Sequence, residues 1–233
     1  MDAPAISVII PAYNEEALLP GTLGHLFAQP GSFEVLVVNG ASTDKTAEVA
    51  RSFLPVRLLE SPKGRAVQMN RGARAARGRT LLFLHADTLL PPGALERVAE
   101  LAEKVGPDRV AGAFRHAFLE RRFVLRLVSL LDNVRCRLSR VPYGDQAIFV
   151  GRELFWQLGG FDEKAPAEDI EFSTRLARAE RVHLVWSPVR TSGRKFLAMG
   201  PWRALGRCLV ICLRAGLGLD LSTQAQAFFK DIR

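Results

Sequence analysis

The chain has 233 residues, enough for one sizeable core and ordinary for a single α/β domain, so no separate module is expected. Its 32 lysines and arginines against 24 aspartates and glutamates give a net charge of +8, which favours an anionic partner such as a nucleotide, a nucleic acid or an acidic membrane surface. Three cysteines, Cys136, Cys208 and Cys212, form no Cys-x-x-Cys pair, which argues against a disulfide framework or a structural zinc site and fits a reducing, cytosolic setting.

Residues 1–5 carry no basic segment and the apolar run that follows is short, so no export signal is expected. That run, Ile6 to Ile10, is the first predicted strand; Val35 to Val38, Val56 to Leu59 and Leu81 to Leu84 are the next three. Between them Glu15 to Phe27, Asp44 to Phe53 and Arg65 to Arg77 read as helices, which is the signature of a parallel sheet with crossover helices. The second follows Ser42-Thr43, good capping residues, with Asp44 in its first turn, and Gly78 closes the third. Along the third helix Ala66, Met69 or Asn70, Ala73 and Ala76 form a stripe of mostly small residues suited to close packing on a sheet.

Pro91-Pro92 opens a helix over Ala94 to Val105, after which strict alternation ends. Residues 122–140 then form a basic amphipathic helix. Arg122, Arg126, Arg137 and Arg140 share a face with Ser129 and Asn133, while Phe123, Val124, Leu127, Leu131, Val134 and Leu138 occupy the rest. Two readings stay open, a solvated arginine face or contact with a membrane surface. Trp202 to Leu219 repeats the pattern, and its apolar stretch, Cys208 to Leu213, is far short of the ~20 residues that span a bilayer.

In an open parallel sheet ligands bind beyond the carboxyl ends of the strands. The segments there are polar: Pro11-Ala12-Tyr13-Asn14-Glu15-Glu16, Asn39-Gly40-Ala41-Ser42-Thr43-Asp44, Ser61-Pro62-Lys63-Gly64-Arg65 and His85-Ala86-Asp87. Together they can surround a nucleotide, with Tyr13 or Asn39 near the base, Lys63 and Arg65 near phosphates, and Asp87 at a metal. If the fourth strand continues through His85 and Asp87, their side chains leave on one face and can share a divalent cation. Otherwise His85 is a core histidine and Asp87 opens a turn into Thr88. A second cluster, Gly159-Gly160-Phe161-Asp162 followed by Glu168-Asp169, puts two carboxylates in the first turn of a helix, as helix-start charges or with one as a general base. Between the clusters, Asp145 and Gln146 precede the apolar run Ala147 to Val150, as sugar or acceptor contacts or as strand-entry turn residues.

In this order the motifs resemble those of the family 2 glycosyltransferases over roughly residues 5 to 180. The resemblance implies an α/β fold of the glycosyltransferase A type: a three-layer sandwich with a central, mostly parallel sheet. Residues 1–110 would be a Rossmann-like half binding a nucleoside-diphosphate sugar, 111–199 a smaller acceptor and catalytic half, and 200–233 a basic amphipathic tail. It implies that Asp87 holds Mn²⁺ or Mg²⁺ against the donor diphosphate, in a loop with Ala86. Asp169, with Glu168 beside it, would be the base for inverting transfer to an acceptor hydroxyl. Pro11, Ala12, Tyr13, Glu15 and Asn39 would hold the nucleotide, Lys63 and Arg65 the neighbouring donor surface, and Arg194 and Lys195 a loop closing over the diphosphate.

Two departures stand out. Asn39-Gly40 replaces the family's usual pair of aspartates, and His85 stands where the first aspartate of its metal motif belongs. Histidine suits Mn²⁺ better than Mg²⁺, so a Mn²⁺ preference is expected. The competing expectation is a non-catalytic nucleotide-sugar or lipid-binding protein on the same fold. Nucleic acid is not expected as a partner, since no binding motif accompanies the charge. The expected place of action is the cytoplasm, at the inner face of the membrane if the acceptor is a lipid or lipid-linked hydroxyl.

Overall fold

A computed structural model describes residues 3–217. The first half runs β1 (Ile6–Ala12), α1 (Leu19–Phe27), β2 (Phe33–Asn39), α2 (Thr46–Ser52), β3 (Arg57–Glu60), α3 (Arg65–Ala75), β4 (Thr80–Phe83), β5 (Thr88–Leu89) and α4 (Ala94–Val105). The second half runs β6 (Ala111–Phe118), α5 (Phe123–Ser139), a short 3₁₀ turn at Gly144–Gln146, β7 (Phe149–Gly151), α6 (Arg152–Gln157), α7 (Glu168–Ala179), β8 (His183–Thr191), α8 (Arg194–Met199) and α9 (Pro201–Gly216). The predicted tail is described only as far as α9 and Leu217; residues 218–233 lie outside the described residues.

One eight-stranded sheet has the order β3-β2-β1-β4-β7-β6-β8-β5. β3, β2, β1 and β4 are parallel, as the crossover pattern requires. β7 then enters antiparallel between β4 and β6, and β6 pairs in parallel with β8. Alternation along the strands sorts the core onto two faces. Val8, Ile10, Val35, Val37 and Leu82 pack with Leu19 and Leu23 of α1 and Leu95 and Val98 of α4. Ile9, Leu36, Val38, Leu81 and Phe83 pack with Met69 and Ala73 of α3, Phe155 of α6 and Phe172 of α7. The result is the expected three-layer α/β sandwich.

Several boundaries differ from the sequence expectation for local reasons. α1 begins at Leu19, with Pro20 in its first turn, so Glu15 lies in the preceding loop. α2 begins at Thr46, and Asp44 precedes it, its carboxylate accepting the Thr46 N–H at 3.0 Å. α3 stops at Ala75 and Gly78 is no cap; its N–H donates to Ser7 Oγ of β1 at 2.9 Å. β4 ends at Phe83, so strand alternation does not set His85 and Asp87 on a shared face; the Thr88 N–H closes a turn on the His85 carbonyl at 3.1 Å.

The small-residue stripe of α3 does face the sheet. Gly72 sits so close to β1 that a Cβ there would lie 2.5 Å from Ile9 Cγ2. Gly72→Leu is therefore expected to cost about 1–3 kcal/mol through overpacking. Denaturant unfolding measures it, and an unchanged midpoint would show that α3 tolerates a wider seat.

Candidate active site

The first group of candidate residues is built where β1, β2 and β3 end. Ala12 and Asn39 are register partners at the last rungs of β1 and β2. Gln68 of α3, 2% exposed, donates from Nε2 to the Ala12 carbonyl at 2.9 Å and the Val38 carbonyl at 2.8 Å. Glycine at 40 leaves room for that amide, since a Cβ there would lie 2.8 Å from Gln68. Asn39 is buried; its amide donates to Glu60 Oε2 at 2.7 Å and its carbonyl accepts the Ser42 N–H at 3.2 Å. An aspartate at 39 would face Glu60 carboxylate to carboxylate, so the asparagine fits this neighbour. Pro11 is buried behind the loop, while Tyr13 is half-buried with the exposed Lys63 ammonium 3.9 Å above its ring.

A second group gathers around Asp87. The Thr22 hydroxyl fixes the loop by donating to the Ala86 carbonyl at 2.7 Å. β5 pairs with the end of β8, and the Ser192 N–H donates to the Asp87 carbonyl at 3.0 Å, which delivers Arg194 and Lys195 to this loop. Arg194 ion-pairs with Glu15 and stands 3.8 Å from Asp87 Oδ2. Burial raises the Glu15 carboxyl above its usual range against the pull of Arg194, and burial lowers the Lys195 ammonium while Asp87 and Glu15 oppose that shift. Glu15, Asp87, Arg194 and Lys195 thus form one charge cluster from three separate stretches of sequence.

The third group lies at the start of α7. Glu168 and Asp169 open α7 and are 3% and 8% exposed. Arg65 leaves Lys63 behind and pairs with Glu168, Nε to Oε1 at 2.7 Å, so Glu168 is a partner of α3. Asp169 accepts the Gly144 N–H at Oδ2, 2.7 Å, and the Ile170 N–H at Oδ1, 3.0 Å. A Cβ at Gly144 would lie 3.0 Å from both Asp169 Oδ2 and His85 Nε2, which places His85 beside Asp169. Burial first, and the Arg65 charge second, hold the His85 imidazole down at about 4 against Asp87 and Asp169. It is neutral at physiological pH and has a nitrogen lone pair to offer.

Asp145 and Gln146 part company. Gln146 is fully buried and belongs to the framework, accepting the Tyr143 N–H at 2.9 Å and donating to the Phe114 carbonyl at 3.2 Å. Asp145 faces His116 of β6, Oδ2 to Nε2 at 3.6 Å, while its Oδ1 has no hydrogen-bond partner among the described residues. Asn133 clamps both backbone polar groups of His116, at 2.8 and 2.9 Å, which fixes that imidazole. Burial pushes the Asp145 carboxyl up to about 6; His116 and Arg135 oppose this, and Asp132 and Asp169 reinforce it.

Sequence reasoning missed Gln68, Asn70, Glu60, His116 and Arg175. Asn70 grips the Phe161 backbone, accepting its N–H at 3.0 Å and donating to its carbonyl at 2.9 Å, and Arg175 donates to the Leu158 and Gly160 carbonyls. The available signal was the buried stripe of α3 itself, in which polar Gln68 and Asn70 interrupt alanines. The donor set for a cation is small: among the described residues no group of three or more His, Cys, Asp or Glu side chains is placed to hold a metal. Asp87 and the neutral His85 fit a cation completed by phosphate oxygens, the way Mg²⁺ and related ions sit with nucleotides.

A profile described as Glycosyl transferase family 2 matches residues 7–152. A "PGL/p-HBAD biosynthesis glycosyltransferase" of Mycobacterium bovis is 36% identical over 171 residues, covering 70% of this chain and 65% of the relative. The "Validoxylamine A glucosyltransferase" of Streptomyces hygroscopicus subsp. limoneus is 30% identical over 216 residues, covering 74% and 48%. The chain therefore spans less than two thirds of these curated relatives. Among solved structures, the mannosyltransferase PcManGT from Pyrobaculum calidifontis in complex with GDP-Man and Mn²⁺ superposes with a TM-score of 0.67 at 23% identity, over 97% of this chain and 69% of that one. S. aureus TarS 1-349 in complex with UDP-GlcNAc gives 0.66 at 19%, over 80% and 58%. Both likenesses establish the glycosyltransferase A type of fold.

Arg65→Met would leave the Glu168 carboxylate buried without its partner and is expected to cost on the order of 3 kcal/mol. The double variant Arg65→Met/Glu168→Leu should recover most of that loss; urea unfolding of the three proteins checks it, and a fully additive double variant would contradict the pairing. Asp145 has a folded-state pKa raised from 3.8 to about 6, so it favours the fold below the lower value and that contribution is lost as pH rises through the upper one. Asp145→Asn should be more stable than the parent at pH 8, with the gap closing below about pH 4. Unfolding across that window measures the difference, and a constant gap would contradict the assignment.

Proposed function

This chain belongs to glycosyl transferase family 2, and on that premise we propose that it moves a sugar from a nucleoside-diphosphate donor to an acceptor hydroxyl with inversion at the anomeric carbon. The observation that carries the reading is the pair of carboxylate stations at one end of the sheet. Asp87 stands with Arg194 and Lys195 on the donor side, and Asp169 is held by Gly144 on the acceptor side, with His85 near both.

In this reading Asp169 accepts the proton of the acceptor hydroxyl. The hydroxyl oxygen forms the new bond to the anomeric carbon as the bond to the diphosphate oxygen breaks, and the nucleoside diphosphate leaves with that electron pair. Arg194 and Lys195 meet the charge that develops on the leaving group. Asp87 and His85 would hold the divalent cation, Mn²⁺ in preference to Mg²⁺ because of the imidazole, and the cation would supply Lewis-acid neutralisation of the diphosphate. Asp145, whose Oδ2 faces His116 and whose Oδ1 has no hydrogen-bond partner among the described residues, would bind a hydroxyl of the sugar or acceptor.

Solved proteins of this fold were crystallised with GDP-Man and with UDP-GlcNAc, so the base would be chosen locally, by Tyr13, Asn39 and Glu60. Residues 1–110 would serve as the donor half and 111–199 as the acceptor half. The acceptor is read as a lipid or lipid-linked hydroxyl because basic, apolar-edged α5 and α9 suit peripheral association at the cytoplasmic face; no described helix is long and apolar enough to cross a membrane.

Release of nucleoside diphosphate from a panel of sugar nucleotides, with Mn²⁺ or Mg²⁺, tests the reading. Asp169→Asn should lower turnover by about 10²–10⁴-fold while thermal stabilisation by nucleoside diphosphate and Mn²⁺ persists. Stabilisation without turnover in the parent protein would instead identify a binder, and undiminished turnover in the variant would remove Asp169 from the chemistry.

A further inference from the structure

The flank formed by α5 and β8 departs from the ordinary pattern of a surface helix. At about 100° per residue, Val124, Leu125, Val128, Ser129, Asn133 and Cys136 fall on the inward side of α5 and are buried. Phe123, Leu130, Leu131, Val134 and Leu138 fall within an arc of roughly 100° on the other side. They are left open to solvent, Phe123 at 77% and Leu138 at 80% exposure. Ser129 and Asn133, which the sequence groups with the arginines on a face either solvated or turned to a membrane, instead turn inward to His116, and the leucines turn out. Such an arc on one helix is a surface that expects a partner.

Beside that arc runs a basic trough. One groove of about 530 Å³ is lined by Arg97, Arg137, Arg140, Arg181 and Trp186, and a second of about 360 Å³ by Arg115, Arg121, Arg126 and Arg190. Trp186 of the first groove links the two, with the guanidinium carbons of Arg137 from its own groove and Arg115 from the second each 5.3 Å from its ring. Trp186 and Ser187 are the extra residues of β8 where the β6 register steps from Phe114–Val185 to Arg115–Pro188, and this bulge leaves the indole 60% exposed. Among the described residues, Arg137, Arg140 and Arg181 have no carboxylate within ion-pair distance, and Arg97 has only Glu100 at 3.9 Å. Burial, aided by Arg181 and Arg140, holds His183 below the usual imidazole range, a sign of the uncompensated positive charge here.

We infer that this flank is a docking surface for an anionic phospholipid bilayer, with lipid phosphates in the trough, Trp186 at the headgroup level and the apolar arc of α5 in the acyl boundary. Charge complementarity selects an anionic partner, and the adjoining apolar arc selects a lipid surface over a nucleic acid, which would gain nothing from covering Leu130, Val134 and Leu138. Aromatic rings that are apolar in body and polar at one edge favour the depth assigned to Trp186. The groove that holds Arg137, Arg140 and Arg181 lies at the N-terminal end of β8, while the second groove runs on to Arg190, the register partner of Leu89 after the Asp87 loop. The surface needs no sugar transfer to operate.

The test is sedimentation of the full chain with phosphatidylcholine vesicles, with and without phosphatidylglycerol. A parallel protein retaining only Trp186, through Trp156→Phe and Trp202→Phe, reports the indole's environment. The expected result is binding to the anionic vesicles with a blue shift of Trp186 emission, weakened at least about tenfold in Arg137→Glu/Arg140→Glu/Arg181→Glu. Phe123→Ser/Leu138→Ser, which keeps every charge, should weaken it as well. Nucleoside-diphosphate release by the triple variant on a soluble donor should match the parent, which separates this outcome from failure of the transfer reading and shows that the variant folds. Equal binding by both variants, binding displaced fully by inorganic phosphate, preference for RNA over vesicles, or a dimer that buries Trp186 and ignores vesicles would each overturn the inference.

Discussion

One helix, α3, ties the strand ends of the sheet to the start of α7 and the Phe161 loop. Arg65 pairs with Glu168 at the start of α7, Gln68 gathers the last carbonyls of β1 and β2, and Asn70 grips the Phe161 loop. A buried ion pair gives little net stability, because desolvation offsets most of its attraction; what such a pair supplies here is a fixed geometry. Asp169 follows Glu168 directly, so anchoring Glu168 to α3 fixes where the neighbouring carboxylate can reach. Gly144 then sets its orientation from the other side. The small residues of α3 allow this, since only a helix seated against the strands brings three polar side chains to the strand ends.

The cluster around Asp87 is assembled differently. β8 runs between β6 and the edge strand β5, and the chain beyond it delivers Arg194 to Glu15 and Asp87. Glu15 and Arg194 answer each other's charge there, while Arg194 Nε has no hydrogen-bond partner among the described residues.

Much of this was legible in the chain. The unbroken apolar runs Val8 to Ile10 and Val35 to Val38 reflect burial on both faces, and α4 has the predicted bounds because Pro91-Pro92 and Gly106 enclose a strongly periodic run. The order of polar segments after successive strands marked the site end of the sheet. Contacts across long sequence separations were not legible: Gln68 reads as an ordinary helix residue until its partners, 56 and 30 residues away, are in place. The same holds for α5, where periodicity defined the helix but could not say which face the core would take. For His85 and Asp87 the chain left a continued strand and a turn into Thr88 both open, and the end of β4 at Phe83 decides for the turn.

In the proposed transfer the acceptor hydroxyl held at Asp169 and the departing diphosphate lie on opposite sides of the donor's anomeric carbon. Proton NMR of slow donor hydrolysis, followed from the first minutes in the presence of Mn²⁺, tests it without knowledge of the acceptor. The account predicts that the first free sugar released has the anomeric configuration opposite to that of the donor. A first product of retained configuration would contradict it.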